Sequence, residues 1–174
     1  MMPTLIPTQP APDLTMPQIG ADPFSLSAEK PDWMTMLVFY RGLHCPICKG
    51  WLQSLEAKLP DFAERGIGVL AASMDHVERA EKTHAEWGIA DIRLGYDMSE
   101  DQARSFGLYI SSKREGSEEP DRFSEPGLFL VRADGMLYAA AVQSMPFTRP
   151  DFGELLGALD FVKDKGYPAR GALT

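Results

Sequence analysis

The chain has 174 residues, of which 44% are apolar and 24% charged, and a formal net charge of −8 at neutral pH. That length and balance suffice for one domain with its own hydrophobic core, with no disulfide framework or metal needed for folding. A surface this acidic repels phosphate backbones, which argues against nucleic acid and anionic membranes as main partners.

Met1 to Pro17 carries no Lys or Arg and no apolar run of signal length, and Pro3, Pro7, Pro10, Pro12 and Pro17 interrupt it, so it does not read as a targeting segment. No apolar run is long enough to span a bilayer. The default expectation is a cytoplasmic protein, in a compartment where thiols stay reduced unless they are catalytic or bind metal.

Residues 1–32 read as an irregular, proline-rich arm, with Phe24 to Leu26 as a candidate edge strand, ahead of a single domain over 33–174. Met34 to Tyr40 is a short apolar run that suggests a buried central strand. After Gly42, the residues Ile47, Trp51, Leu55 and Leu59 recur every fourth position, with Leu52 alongside, and predict an amphipathic helix. Pro60 should kink or end it, and Gly66 fits a helix stop. Ile67 to Met74 reads as a second buried strand, Val77 to Trp87 as a helix stopped by Gly88, and Ile92 to Leu94 as a short strand. Ser99 to Phe106 reads as a short helix, with Ser99 as N-cap and Gln102 placed for a capping box.

Ser111 to Glu125 is polar and charged and reads as a long surface loop. Leu128 to Arg132 and Met136 to Val142 flank Ala133-Asp134-Gly135, a hairpin signal because Asp-Gly tolerates positive φ. Pro150 to Lys165 is a last amphipathic helix, with Phe152, Leu155, Leu156, Leu159 and Val162 inward. Strands alternating with helices predict a parallel sheet, and the late hairpin adds antiparallel strands. The expected fold is a three-layer α/β/α with a central mixed sheet.

The chemistry concentrates in Phe39-Tyr40-Arg41-Gly42-Leu43-His44-Cys45-Pro46-Ile47-Cys48-Lys49, where a C-x-x-C pair lies between a buried strand and a helix. Pro46 suits the first helical position, which makes Cys45 the N-cap. Its sulfur can then accept hydrogen bonds from the free N–H groups of Ile47 and Cys48. The helix dipole favours negative charge at the same point, so Cys45 is the candidate thiolate. Cys48 lies one turn on, at a spacing that meets the roughly 4.4–6.8 Å Cα window of a disulfide. Arg41 and Lys49 flank the pair as sources of positive potential, and His44 could tune the charge of Cys45. Two other readings stay open: the cysteines as buried core residues, or as half of a zinc site completed from His44, His76 and His84. His76 and His84 are too far apart for the usual histidine pair of such a site.

FYRGLHCPICKGWLQSLE, GIGVLAASMD, the stretch from Trp87 to Phe106 and PGLFLVRADG together resemble the peroxiredoxin-like proteins. These form the alkyl hydroperoxide reductase/thiol-specific antioxidant (AhpC/TSA) group of the thioredoxin superfamily. The resemblance spans about residues 10 to 165 and implies a thioredoxin-like, peroxiredoxin-type fold in which Pro126 matches the cis-proline whose loop faces the dithiol. Laid on the peroxiredoxin pattern P-x-x-x-T-x-x-C, Cys48 takes the position that attacks peroxide, Cys45 replaces the threonine and Arg41 the proline. The arginine those proteins carry before the late strand is absent from Ser124-Glu125-Pro126-Gly127. Thioredoxin is matched imperfectly too, with Phe39 where it has a buried carboxylate and His44 where it has a tryptophan.

Two enzymatic expectations follow. In the first, Cys45 attacks a substrate disulfide and Cys48 resolves the mixed disulfide. In the second, one thiolate reduces a peroxide through a sulfenic acid and the other condenses with it. Either way a thioredoxin- or glutathione-type thiol donor resets the Cys45–Cys48 disulfide, and no bound cofactor is expected, since neither a G-x-G-x-x-G nor a P-loop is present. The resemblance also admits a homodimer. A third expectation is a non-catalytic binding module that docks a partner through 111–125.

Overall fold

The computed structural model describes residues 5–174; the first four residues of the expected arm lie outside the described residues. β3 (Met34–Phe39) is the spine of the molecule, with all six residues buried. It reads as a nearly continuous apolar run because both of its faces are covered. Met34, Met36 and Val38 enter one core, Leu37 and Phe39 the other.

On one side β3 pairs in parallel with β4 (Ile67–Ala72), which pairs in parallel with β5 (Leu94–Gly95). On the other it pairs antiparallel with β8 (Gly127–Arg132), the first strand of a hairpin with β9 (Leu137–Val142). The hairpin turn forms where Asp134-Gly135 predicts it, with Gly135 at φ 83°.

The arm contributes two strands to the sheet, one of them the candidate at Phe24 to Leu26, which forms over Ala21–Ser25. β1 (Thr15–Gln18) and β2 (Ala21–Ser25) form an antiparallel hairpin on the free edge of β5, giving the order β2-β1-β5-β4-β3-β8-β9. The segment taken as an irregular arm is therefore part of the sheet. Leu14, Met16 and Phe24 close the second core, and prolines on either side masked this short alternation.

Helix α1 (Pro46–Glu64) and helix α4 (Phe152–Lys165) pack together over the first core. Helix α3 (Glu100–Ser105) supplies Ala103 to the second, beside the mutually packed rings of Phe39, Phe106 and Phe129. Helix α2 (Val77–Glu86) lies beside β5 and ends at Trp87, which caps it and enters the first core. The layers are thus helix, mixed sheet, helix. The α3 cap is the predicted capping box, with Ser99 and Gln102 reciprocally bonded at 3.1 and 2.9 Å.

Two local expectations are corrected. α1 runs through Pro60 to Glu64. The Pro60 ring is exposed, while Phe62 beyond it is fully buried against Phe152, so burial holds the last turn despite the lost backbone bond. The 111–125 segment is not a structureless loop. Its ends form the antiparallel pair β6 (Ile110–Ser112) and β7 (Arg122–Ser124), and buried Glu119 accepts from Arg114 N (2.8 Å) and Arg114 Nε (2.9 Å) between them.

Phe152 joins α4 to the dithiol helix, stacked on Trp51 at 5.3 Å and edge-on to Phe62 at 6.1 Å. Phe152→Ala should destabilise the fold by about 3–5 kcal/mol, the usual cost of emptying an aromatic site in a packed core. A urea midpoint unchanged from the parent protein would contradict this packing.

Candidate active site

Between β3 and α1 the chain turns through Gly42, at φ 137°, a conformation that side-chain-bearing residues rarely adopt. A Cβ there would also meet a carboxylate oxygen of Asp75 at 2.8 Å. That carboxylate is fully buried, accepts the Leu43 N–H at 2.8 Å and pairs with Arg79 at 3.0 Å. The loop after β4 thereby braces the turn that delivers His44 and Cys45 to the start of α1.

Cys45 is the N-cap of α1 with extended backbone, and Pro46 opens the helix. Its Sγ accepts the Cys48 N–H at 3.2 Å. No bond from the Ile47 N–H to this sulfur is present, so one helix donor meets it, not the expected two. Both cysteines are free thiols. Cys48 is 0% exposed and Cys45 2%, but Cys45 borders an open cavity of about 650 Å³ whose wall includes His44, Ile47, Arg114 and Phe147.

The two sulfurs ionise very differently. The hydrogen bond from the Cys48 thiol, with the Cys48 N–H, the Arg41 guanidinium and the charge of Arg149 assisting, outweighs burial and brings Cys45 down to about 6. Burial, then the hydrogen bond to Cys45 and its charge, push Cys48 well above the ordinary thiol value. At neutral pH the pair is one thiolate in front and one thiol behind.

The guanidinium that reaches both sulfurs is one the sequence did not single out. Arg149, in the loop between β9 and α4, aims Nη2 at both sulfurs, 3.6 Å from Cys45 Sγ and 3.4 Å from Cys48 Sγ. The same nitrogen donates to the Pro146 carbonyl at 2.9 Å, and the guanidinium lies 5.2 Å over the Trp51 ring. Trp51 Nε1 in turn donates to the Pro150 carbonyl at 2.9 Å, so α1 itself positions the arginine beside its own cap. One signal was legible: Arg149 sits two residues ahead of the Asp151 N-cap of α4, an end where the helix dipole disfavours a cation.

Arg41 is also at the site. Its backbone N–H reaches Cys48 Sγ at 3.4 Å, and its side chain is held by Glu125 at 2.9 Å and Glu119 at 3.7 Å. Ser111 Oγ donates to the same Glu125 at 2.7 Å. Glu125 and Glu119 were read only as part of a polar loop, because their carboxylates meet Arg41 across more than seventy residues of chain.

The remaining candidates behave differently. His44 lines the cavity, but burial and the neighbouring Arg41 lower it to about 4, so it is uncharged at neutral pH and adds no cation. Its ring packs edge-on to Phe123 at 4.8 Å. Lys49 is exposed on α1. Pro126 is buried at the start of β8, and the bond preceding it is trans, which corrects the cis-proline expectation. Glu125 N–H bonds to the Tyr109 carbonyl (2.8 Å) and the Pro126 carbonyl accepts from Gln143 (3.1 Å), so the chain runs extended into β8 with the ordinary trans isomer. Among the described residues, no three His, Cys, Asp or Glu side chains gather as a metal-binding set, and no helix is long and apolar enough to cross a membrane.

A parallel β3–α1–β4 crossover, an antiparallel hairpin on the far side of β3 and a C-x-x-C pair capping α1 define a thioredoxin-like α/β protein of the peroxiredoxin type. The AhpC/TSA family model matches residues 7–140, and the chain belongs to that family. Its fold is similar to that of a Cys-to-Ser mutant of peroxiredoxin 6 from Arenicola marina, at 15% identity and TM-score 0.77, covering 94% of this chain and 76% of that one. It is similar also to peroxidoxin BcpB from Mycobacterium tuberculosis (20%, TM-score 0.72, 91% and 99% covered). A third is the bacterioferritin comigratory protein of Xanthomonas campestris (24%, TM-score 0.67, 86% and 90%), described for its alkyl peroxide reduction activity. Identities this low speak for the fold alone. None of the curated proteins matches the chain.

Proposed function

We propose that the protein is a thiol-dependent oxidoreductase that cycles a Cys45–Cys48 disulfide, with Cys45 attacking, Cys48 resolving and a disulfide as the acceptor. One observation carries the reading: the ionised sulfur borders the cavity, while the neutral one is sealed behind it. In the family pattern Cys48 would attack, so the roles here are the reverse of that alignment.

The Cys45 thiolate attacks one substrate sulfur; a Cys45–substrate S–S bond forms, the substrate S–S bond breaks, and the first thiolate leaves and is protonated from solvent. Cys48 then attacks Cys45 Sγ, forming the internal disulfide and breaking the Cys45–substrate bond, and its proton passes through solvent to the second substrate thiolate as that leaves. Two electrons pass from the protein dithiol to the substrate, and an external thiol donor restores them. No bound cofactor takes part.

Peroxide reduction is the second reading, favoured by family membership and by a guanidinium beside both sulfurs. Against it, the threonine and proline of the peroxide pattern are Cys45 and Arg41, and acidic Glu125 sits in the stretch where that pattern has an arginine. Cys48→Ser decides the attacking sulfur, because a first adduct on Cys45 can then no longer be resolved. Mass spectrometry of this variant after exposure to a disulfide should find a stoichiometric mixed disulfide on Cys45, and an unmodified Cys45 would overturn the reading. Reduced protein that reacts with hydrogen peroxide far faster than a free thiol would favour peroxide instead.

A further inference from the structure

We infer that the cavity in front of Cys45 receives a disulfide carried on an apolar, uncharged peptide segment of another protein, and that it discriminates against glutathione-type disulfides. The inference rests on the disulfide reading above and names its substrate class.

The first argument is the apolar rim. Large apolar side chains exposed in the described structure include Ile47 at 42%, Phe147 at 73% and Met145 at 54%. Ile47 and Phe147 stand in the wall of the same cavity as Cys45, together with Pro46 and Pro146, and Met145 belongs to the Phe147 loop. Ile47 belongs to the predicted apolar stripe of α1, yet it is turned outward beside the thiolate. Exposed apolar side chains gathered at one cleft mark a site for an apolar partner. The cavity, at about 650 Å³, lies within the usual range of ligand clefts.

The second argument is charge. The cations of the wall, Arg41 and Arg114, are already matched: Arg41 to Glu125 and Glu119, Arg114 to Glu119 at 2.9 Å. Glu118 adds another carboxylate to the wall, and His44 is neutral. The remaining nearby cation, Arg149, faces the sulfurs and is not part of the wall. A glutathione disulfide carries a net negative charge and would find no unmatched cation in the cavity wall, since Arg149, which has no carboxylate partner, lies behind the wall against the sulfurs, on a protein whose own net charge is −8. An uncharged peptide with apolar residues beside its cysteine gains the rim and loses nothing to the carboxylates.

The test compares kcat/KM for a short neutral peptide disulfide with Phe and Leu flanking the cysteine, glutathione disulfide, 2-hydroxyethyl disulfide and cumene hydroperoxide. The peptide should exceed glutathione disulfide by about tenfold or more, and Phe147→Asp should lower the ratio of peptide to 2-hydroxyethyl disulfide by about tenfold. Phe147→Leu should keep most of that ratio. Phe147 is largely exposed, so neither variant should move Tm. Glutathione disulfide reduced as fast as the peptide, a ratio insensitive to Phe147→Asp, or cumene hydroperoxide outpacing every disulfide would each overturn the inference. If 2-hydroxyethyl disulfide is reduced without any peptide advantage, only this inference fails; if no disulfide is reduced, the proposed function fails with it.

Discussion

Cys45→Ser is expected to abolish turnover, with a loss of about 10⁴-fold or more, as for other nucleophile deletions. The argument is local. Cys45 is the sulfur that is ionised near neutrality and that borders the cavity, whereas Cys48 is fully buried and protonated. A serine hydroxyl keeps the N-cap, since serine is among the best residues there, so the helix and the fold should survive. It does not ionise, so no thiolate remains at the cavity. The loss should therefore appear in single-turnover oxidation of the protein by substrate while the urea midpoint stays near that of the parent. Retained turnover in Cys45→Ser, with loss in Cys48→Ser and no adduct on Cys45, would assign the attack to Cys48, as the family alignment has it.

The second large effect is on the acidity of the site. Arg149→Met keeps an apolar side chain of similar length but removes the guanidinium from the Trp51 ring and its charge from both sulfurs. A positive charge favours the thiolate, so its removal raises the Cys45 pKa. With Cys45 at about 6, the sulfur is about 90% thiolate at pH 7. A rise of about one unit leaves about half of it ionised. The alkylation rate of Cys45 should climb through a midpoint near pH 6 in the parent and about one unit higher in the variant. Arg149→Lys should recover part of the difference. Cys48 also loses a favourable charge, so resolution of the mixed disulfide should slow as well. An unshifted alkylation midpoint in Arg149→Met would mean that the helix cap, Cys48 and Arg41 ionise Cys45 without it.

The central elements were legible because each carries a local signature. The buried run of β3, the C-P-x-C helix start, the Ser99 capping box and the Asp-Gly turn are each set by neighbours within a few residues, and all four appear where the sequence predicts them. β1 was obscured, and β2 legible only as the short candidate at Phe24 to Leu26, because their apolar residues are few and interrupted by proline; the edge of β5 and the second core make them strands. The 111–125 segment misled for a related reason. Its buried groups are charged, and pattern reading takes Glu119 and Glu125 as solvated when their partners, Arg114 and Arg41, cannot be seen.

The sequence alone determined the α/β class, the strand-to-helix position of the dithiol and the N-cap placement of Cys45 one turn ahead of Cys48. These depend on backbone bonding and dipoles acting over one helical turn. Arg41 was legible beside the pair, but tertiary structure alone decided that Arg149 reaches the sulfurs from the loop after β9 and that Glu125 holds the Arg41 side chain. It also decided that Ile47 and Phe147 face the same cavity as the thiolate. Charge and apolar contact act through space over a few ångströms, so residues about a hundred positions apart tune one sulfur once packing brings them together.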